Sequence, residues 1–230
     1  MLIQTLLGEG DLRTKLIYAG MYLIAIVLSL SAHEWAHAFV AHLNGDNTAR
    51  SMGRMTLNPL AHIDPAGLLM LLIVGFGWAK PVPVNSRNYR NYRLGEATVS
   101  LAGIFMNLLL AFVSAGLSVL FTVLAINRGE LPNQYLQLFL DIMGVMNCAL
   151  AIFNLLPLYP LDGSHIFDLL LGRLIGPQAV MWLHRNGRFL LYGFLILSVV
   201  LSRVSSFSLV GTAANWLFVR FWNLFASFVR

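Results

Sequence analysis

Ser31-Ala32-His33-Glu34-Trp35-Ala36-His37-Ala38 lies inside an apolar run, Leu16 to Leu43, that contains no other Asp, Glu, Lys or Arg. The run is longer than the roughly 20 residues that cross a bilayer as a helix. On a helix, His33 and His37 are four residues apart, so both imidazoles leave one face. That H-E-x-x-H spacing lets two nitrogens reach one Zn²⁺ at about 2.0–2.1 Å. Glu34 stands one position round from the first ligand, where it can take a proton from an attacking water rather than bind metal. The competing reading is a set of polar side chains plugging a gap between helices. Ionisable residues within a spanning segment are costly and mark function by default.

Composition supports the membrane setting. Of 230 residues, 58% are hydrophobic and 11% charged, and the mean hydropathy is +0.72. Soluble domains carry about 25% charged residues. One cysteine, Cys148, excludes both a disulfide framework and a thiolate zinc site, and reads as a small buried residue. The first fourteen residues place Glu9 and Asp11 ahead of the basic residues, so no signal peptide is expected there. The net charge of +5 reads as topology-setting loop cations, not as nucleic-acid binding.

Working outward, a short lead over residues 1–15 precedes the first spanning helix. Asn44-Gly45-Asp46 ends that helix with turn chemistry. His42, five residues past His37, points elsewhere and reads as interfacial. Residues 47–57 and 79–85 have an extended flavour, the second because Pro81 and Pro83 disfavour helix before them. These two stretches are expected to form a small membrane-edge β-sheet, with plain loops as the alternative. Ala66 to Trp78 is apolar but too short to span, and suits a re-entrant segment. Arg87, Arg90 and Arg93 interleave with Tyr89 and Tyr92 as an interfacial anchor. Further spanning helices are expected over 96–126, 135–156, a stretch ending at 189–201, and 209–229. Gly103 and Asn107 share one face of the second, where a small residue permits close approach and an Asn bonds across the interface.

The run from Asn154 to Gly163 contains Pro157 and Pro160 and breaks the helix in an apolar context. Irregular backbone at that depth is tolerated only against protein or a wet cavity. Asp162 there is either the carboxylate of a His₂-carboxylate site or a cap for a helix over 164–175. Asp64, Glu96, Asp141 and Asp168 are rival carboxylates, and His165 is a weak candidate for supporting the ligands.

These motifs resemble the site-2 proteases, intramembrane zinc metalloproteases of peptidase family M50. The resemblance rests on His33-Glu34-Trp35-Ala36-His37, Asn58 to Pro65, Ala79 to Val84, Gly103 with Asn107, and Asn154 to Gly163. It implies that His33, His37 and Asp162 hold Zn²⁺, that Glu34 is the general base, and that Asn154 binds or polarises the substrate. It further implies an endopeptidase cutting within or near transmembrane segments of membrane-protein substrates. A compact form without a PDZ or CBS domain is expected.

The whole reads as an all-α polytopic membrane protein of five to six transmembrane helices, one domain over 1–230. The catalytic core is about 16–170 and the C-terminal helices 176–230. Placing 45–96 in the cytoplasm puts eleven of the 15 Lys and Arg on that side and four outside. The positive-inside rule favours this arrangement, with the site toward the cytoplasmic half of a prokaryotic inner membrane. The partners are membrane-protein substrates and the lipid bilayer, with no nucleic acid. The rival class is a transporter or channel with a structural metal site, marked by broken helices and embedded carboxylates. A transporter has no need of H-E-x-x-H, and no pair of broken segments repeats across two halves.

Overall fold

The computed structural model describes residues 11–74, 77–204 and 208–229. Residues 1–10 of the expected lead and 205–207 of the expected turn lie outside them. Asp11 accepts the Thr14 N–H at 3.4 Å and starts α1, Leu12–Leu43. Asn44 ends it, and Gly45, at φ +108°, turns the chain away. The short helix α2 is Thr48–Ser51, and α3 is Pro65–Val74. Asn91 caps the long α4, Tyr92–Asn127, and Asn133 caps α5, Gln134–Asn154. Then follow α6, Asp162–Ile175; α7, Pro177–Val204; and α8, Leu209–Ser227.

α1, α4 and α5 pack on one another, and α8 covers α4 and α5. The contact is close because the facing residues are small. Ala111 and Ala115 of α4 and Cys148 of α5 are fully buried beside Ala214 and Phe218 of α8. A second core joins Ala25 and Ile26 of α1 to Ile142, Met143 and Met146 of α5, with Leu71 of α3 against it.

Two expectations are corrected. Among the described residues no strand forms, so the membrane-edge sheet is absent. Residues 48–51 are helical and Gly53 turns at φ +67°. Pro81 and Pro83 lack the N–H groups a ladder needs. What remains is one antiparallel bridge, Ile63 to Ala79, with the Lys80 N–H donating to the His62 carbonyl at 2.8 Å. Arg54 reaches the extended segment by side chain, donating to the carbonyls of Lys80 (2.8 Å) and Pro81 (3.2 Å). The bridge brings together the two ends of the stretch that contains α3.

The second correction is the span count. Among the described residues three helices are long and apolar enough to cross a membrane: α1, α4 and α5. His184, Arg185 and Arg188 shorten the apolar part of α7, and Arg220, Asn215 and Asn223 interrupt α8.

Candidate metal centre

α1 presents His33 and His37, both buried, with ring centroids 4.6 Å apart. α4 crosses directly over the first ring. A Cβ built on Gly103 would lie 2.4–2.6 Å from three His33 ring atoms, so only glycine lets the helices meet there.

The third donor arrives by a chain reversal. α5 stops at Asn154, residues 155–161 are irregular with a cis Tyr159–Pro160 peptide, and α6 begins at Asp162. The reversal is tight. A Cβ on Gly163 would lie 2.3 Å from the Leu155 carbonyl oxygen and 2.6 Å from that of Leu156. Leu161, not Asp162, occupies the cap position of α6, and no side-chain cap bond forms. Asp162 instead faces the histidines.

The three donors converge. Nε2 of His33 lies 3.0 Å from Nε2 of His37, and each lies 3.3 Å from Asp162 Oδ2. Bonds of about 2.0–2.1 Å at tetrahedral angles separate ligand atoms by about 3.3–3.4 Å; both histidine–Asp162 distances match this, and the two histidine nitrogens are closer, at 3.0 Å. The chemistry of the set asks for a cation as well. Asp162 Oδ2 is buried with no hydrogen-bond partner. Nδ1 of His37 donates to the Val99 carbonyl at 2.7 Å, so the neutral ring keeps a bare lone pair on Nε2, aimed at a carboxylate and a second imidazole. Such lone pairs repel unless a positive charge sits between them. The residues fit a zinc ion.

Glu34 stands beside this centre, half-buried. Its Oε2 accepts the Val82 N–H at 2.8 Å, so the extended segment that was expected in a sheet instead steadies this carboxylate. Asn154 is brought to the same cavity of about 1050 Å³, whose wall also includes His33, Glu34, His37 and Asp162. The Asn154 side-chain N–H donates to the Leu150 carbonyl of its own helix at 3.0 Å.

The rival carboxylates are engaged elsewhere. Asp64 accepts the Gly67 N–H at 2.8 Å at the start of α3. Glu96 lies 3.1 Å from His165, Asp168 lies 2.5 Å from His184, and Asp141 accepts the Ser118 hydroxyl at 3.4 Å. His165 thus serves Glu96, not the metal donors. His42 points away, pairing with Asn47 at 2.6 Å.

Three supports were not foreseen. The Val99 carbonyl and the Val82 N–H are backbone groups, which carry no residue signal. Asn107, read as a helix-interface amide, contacts His33 Nδ1 at 2.6 Å.

These features define a membrane protein built around a buried His₂-carboxylate centre with a glutamate at its side. The profile described as "Peptidase family M50" matches residues 118–194, which include Asn154 and Asp162. YwhC of Bacillus subtilis, a zinc metalloprotease by its name, is 44% identical over 145 residues, covering 63% of this chain and 66% of that protein. Rip2 of Mycolicibacterium smegmatis, named likewise, is 30% identical over 162 residues, covering 67% of this chain and 60% of Rip2. Rip2 of Mycobacterium tuberculosis is 30% identical over 163 residues, with the same coverage. The chain thus spans less than two thirds of the length of these relatives. No solved structure matches it at the same stringency. Over these stretches the chain is similar to peptidase family M50, the site-2 protease family.

Proposed function

We propose that this protein is a zinc-dependent endopeptidase that hydrolyses a peptide bond within or near a transmembrane segment of membrane-protein substrates. The observation that carries it is Glu34, held by the Val82 N–H on the cavity wall beside three converged metal donors. A structural metal site or an adaptor has no use for a base there.

His33, His37 and Asp162 are the proposed zinc ligands. Bound there, zinc supplies Lewis acidity toward water and the scissile carbonyl. Glu34 accepts the proton of the attacking water as the oxygen adds to the carbonyl carbon. It then delivers that proton to the leaving nitrogen as the C–N bond breaks. Asn154 meets the substrate backbone from the cavity wall. A helical substrate hides its scissile carbonyl in an intrahelical bond, so it must unwind before the bond enters the cavity. The charge distribution of the chain supports an orientation with the site toward the cytoplasm, and the bacterial relatives support a prokaryotic inner membrane.

The test pairs zinc content with cleavage of a membrane-protein substrate in detergent. Glu34→Gln should keep about one zinc per chain and lose cleavage. Cleavage that persists in purified Glu34→Gln protein removes Glu34 as the base. A wild-type protein that takes up no supplied zinc removes the protease reading.

A further inference from the structure

Beneath the histidines lies a run of amides that the proposed reaction does not use. Ser29 of α1, Asn107 of α4 and Asn147 of α5 are each fully buried. Asn107 Nδ2 donates to Asn147 Oδ1 at 2.8 Å, and Asn147 Nδ2 donates to Ser29 Oγ at 2.8 Å and to the Met143 carbonyl at 2.8 Å. The Ser29 hydroxyl donates to the Ala25 carbonyl at 2.7 Å.

The direction of every bond in this chain is forced from its far end. The carbonyls of Ala25 and Met143 can only accept. Ser29 therefore spends its proton on Ala25 and can only accept from Asn147. Asn147 must turn its NH₂ toward Ser29 and Met143, which leaves its oxygen facing Asn107. Asn107 must then give its NH₂ to Asn147 and its oxygen to His33. Nδ1 of His33 can meet that oxygen only as a donor. Its proton is fixed on Nδ1, and Nε2 keeps the lone pair that faces His37 and Asp162. A reversed Asn107 amide would present an N–H to Nδ1 and drive the proton onto Nε2, where it blocks a metal.

We infer that Asn147, anchored by Ser29 and Met143, is a positioning residue that acts through Asn107 to keep His33 in its metal-ligating tautomer. Asn147 touches neither the donors nor the substrate, yet it sets the orientation of the amide that holds His33. The inference rests on the zinc reading above. Partners that orient a metal-bound histidine are typically worth about 10–100-fold in metal affinity.

The experiment measures zinc affinity of the full-length protein in detergent by chelator competition, with helix content checked by circular dichroism. Asn147→Leu, nearly isosteric, should bind zinc about 10–100-fold more weakly than wild type while remaining helical. Asn107→Leu should lose at least as much. The double variant should bind like Asn107→Leu alone, because Asn147 acts only through Asn107. Asn147→Ala, which cannot overfill the space, carries the same test where the Leu variant does not fold. Wild-type zinc affinity in folded Asn147 variants, or losses that add in the double variant, overturns the relay and leaves the zinc centre standing. A wild-type protein that binds no zinc overturns both together.

Discussion

Gly103→Ala offers a sharp geometric test of the centre. The added methyl would sit 2.4 Å from His33 Cε1 and 2.6 Å from both ring nitrogens. Ordinary carbon contacts need about 3.5 Å or more, so the ring or the helix must yield by about 1 Å. The ring is held from behind by Asn107 at 2.6 Å. A metal site tolerates distance errors of about 0.2 Å, several times less than this displacement. The alternative, α4 moving away from α1, costs about 1–3 kcal/mol of overpacking and also shifts the Val99 carbonyl that holds His37. Either route opens the donor set. Zinc per chain, read by atomic absorption after gel filtration, should fall from about one to a small fraction in Gly103→Ala. Gly20→Ala on α1 is the control. Its Cβ meets nothing within 4 Å, so it should keep full zinc and gain about 0.5–1 kcal/mol of helix stability. Full zinc in Gly103→Ala would refute the close approach of α4 to His33 and with it the geometry argued for the centre.

Other outcomes follow from the same contacts. Val82→Pro removes the N–H that Glu34 accepts while leaving the three donors untouched. Zinc should stay, and cleavage should fall within the ~10²–10⁴-fold that a positioned general base contributes; unchanged cleavage would detach Val82 from the mechanism. Asp162→Asn should lose zinc, whereas Asp168→Asn should keep it and lose only its contact with His184. Asp46 is fully buried outside the spans. Burial alone would raise its carboxyl, but bonds from the Thr48 hydroxyl, the Asn85 N–H, the Asn88 amide and the Thr48 N–H outweigh burial and hold it below its ordinary value. The folded protein therefore binds that proton less readily than the unfolded chain. The stability it contributes is present above about pH 4 and is lost as pH falls through the lowered value. Asp46→Asn should cost about 1–3 kcal/mol at pH 7, through donors left unpaired, and flatten the acid limb of a melting-temperature profile; an unaltered acid limb would refute that assignment.

The parts of the site legible in the sequence are those carried by side chains close in the chain or by strong breakers. His33 and His37 declare themselves by helical spacing; the two prolines that stop α5 in an apolar context mark Asp162 only as a ligand or a cap, and the family resemblance singles it out as a ligand. Asn107 is visible only as an amide in a spanning helix, because the separation of 74 positions from His33 is closed by helix packing. Val99 and Val82 act through backbone atoms, which every residue has. The expected sheet failed for a related reason. Residues 47–57 have an extended flavour, but Ala49 and Arg50 are good helix formers, and the Asp46 carboxylate holds the Thr48 N–H at the start of the turn. The segment 79–84 is extended, yet its prolines cannot build a ladder.

The site can also be understood by what each helix removes. His33, Glu34 and His37 all sit on α1, and each has rotamers that an isolated helix would leave free. Each is fixed by one bond to a different part of the chain: Asn107 of α4, Val82 of the extended segment, and the Val99 carbonyl of α4. None of these bonds can form until α4 and the 79–84 segment have docked on α1. Within an apolar bundle the alternative partner, water, is scarce, so an undocked histidine or glutamate is costly. The burden of desolvating three ionisable groups is thus tied to correct packing of α1 with its neighbours. The same packing leaves one face of the centre open to the cavity, where Asp162 completes the donor set. Rigidity toward the protein and access from the cavity come from one arrangement of helices, and the proposed peptide-bond hydrolysis needs both.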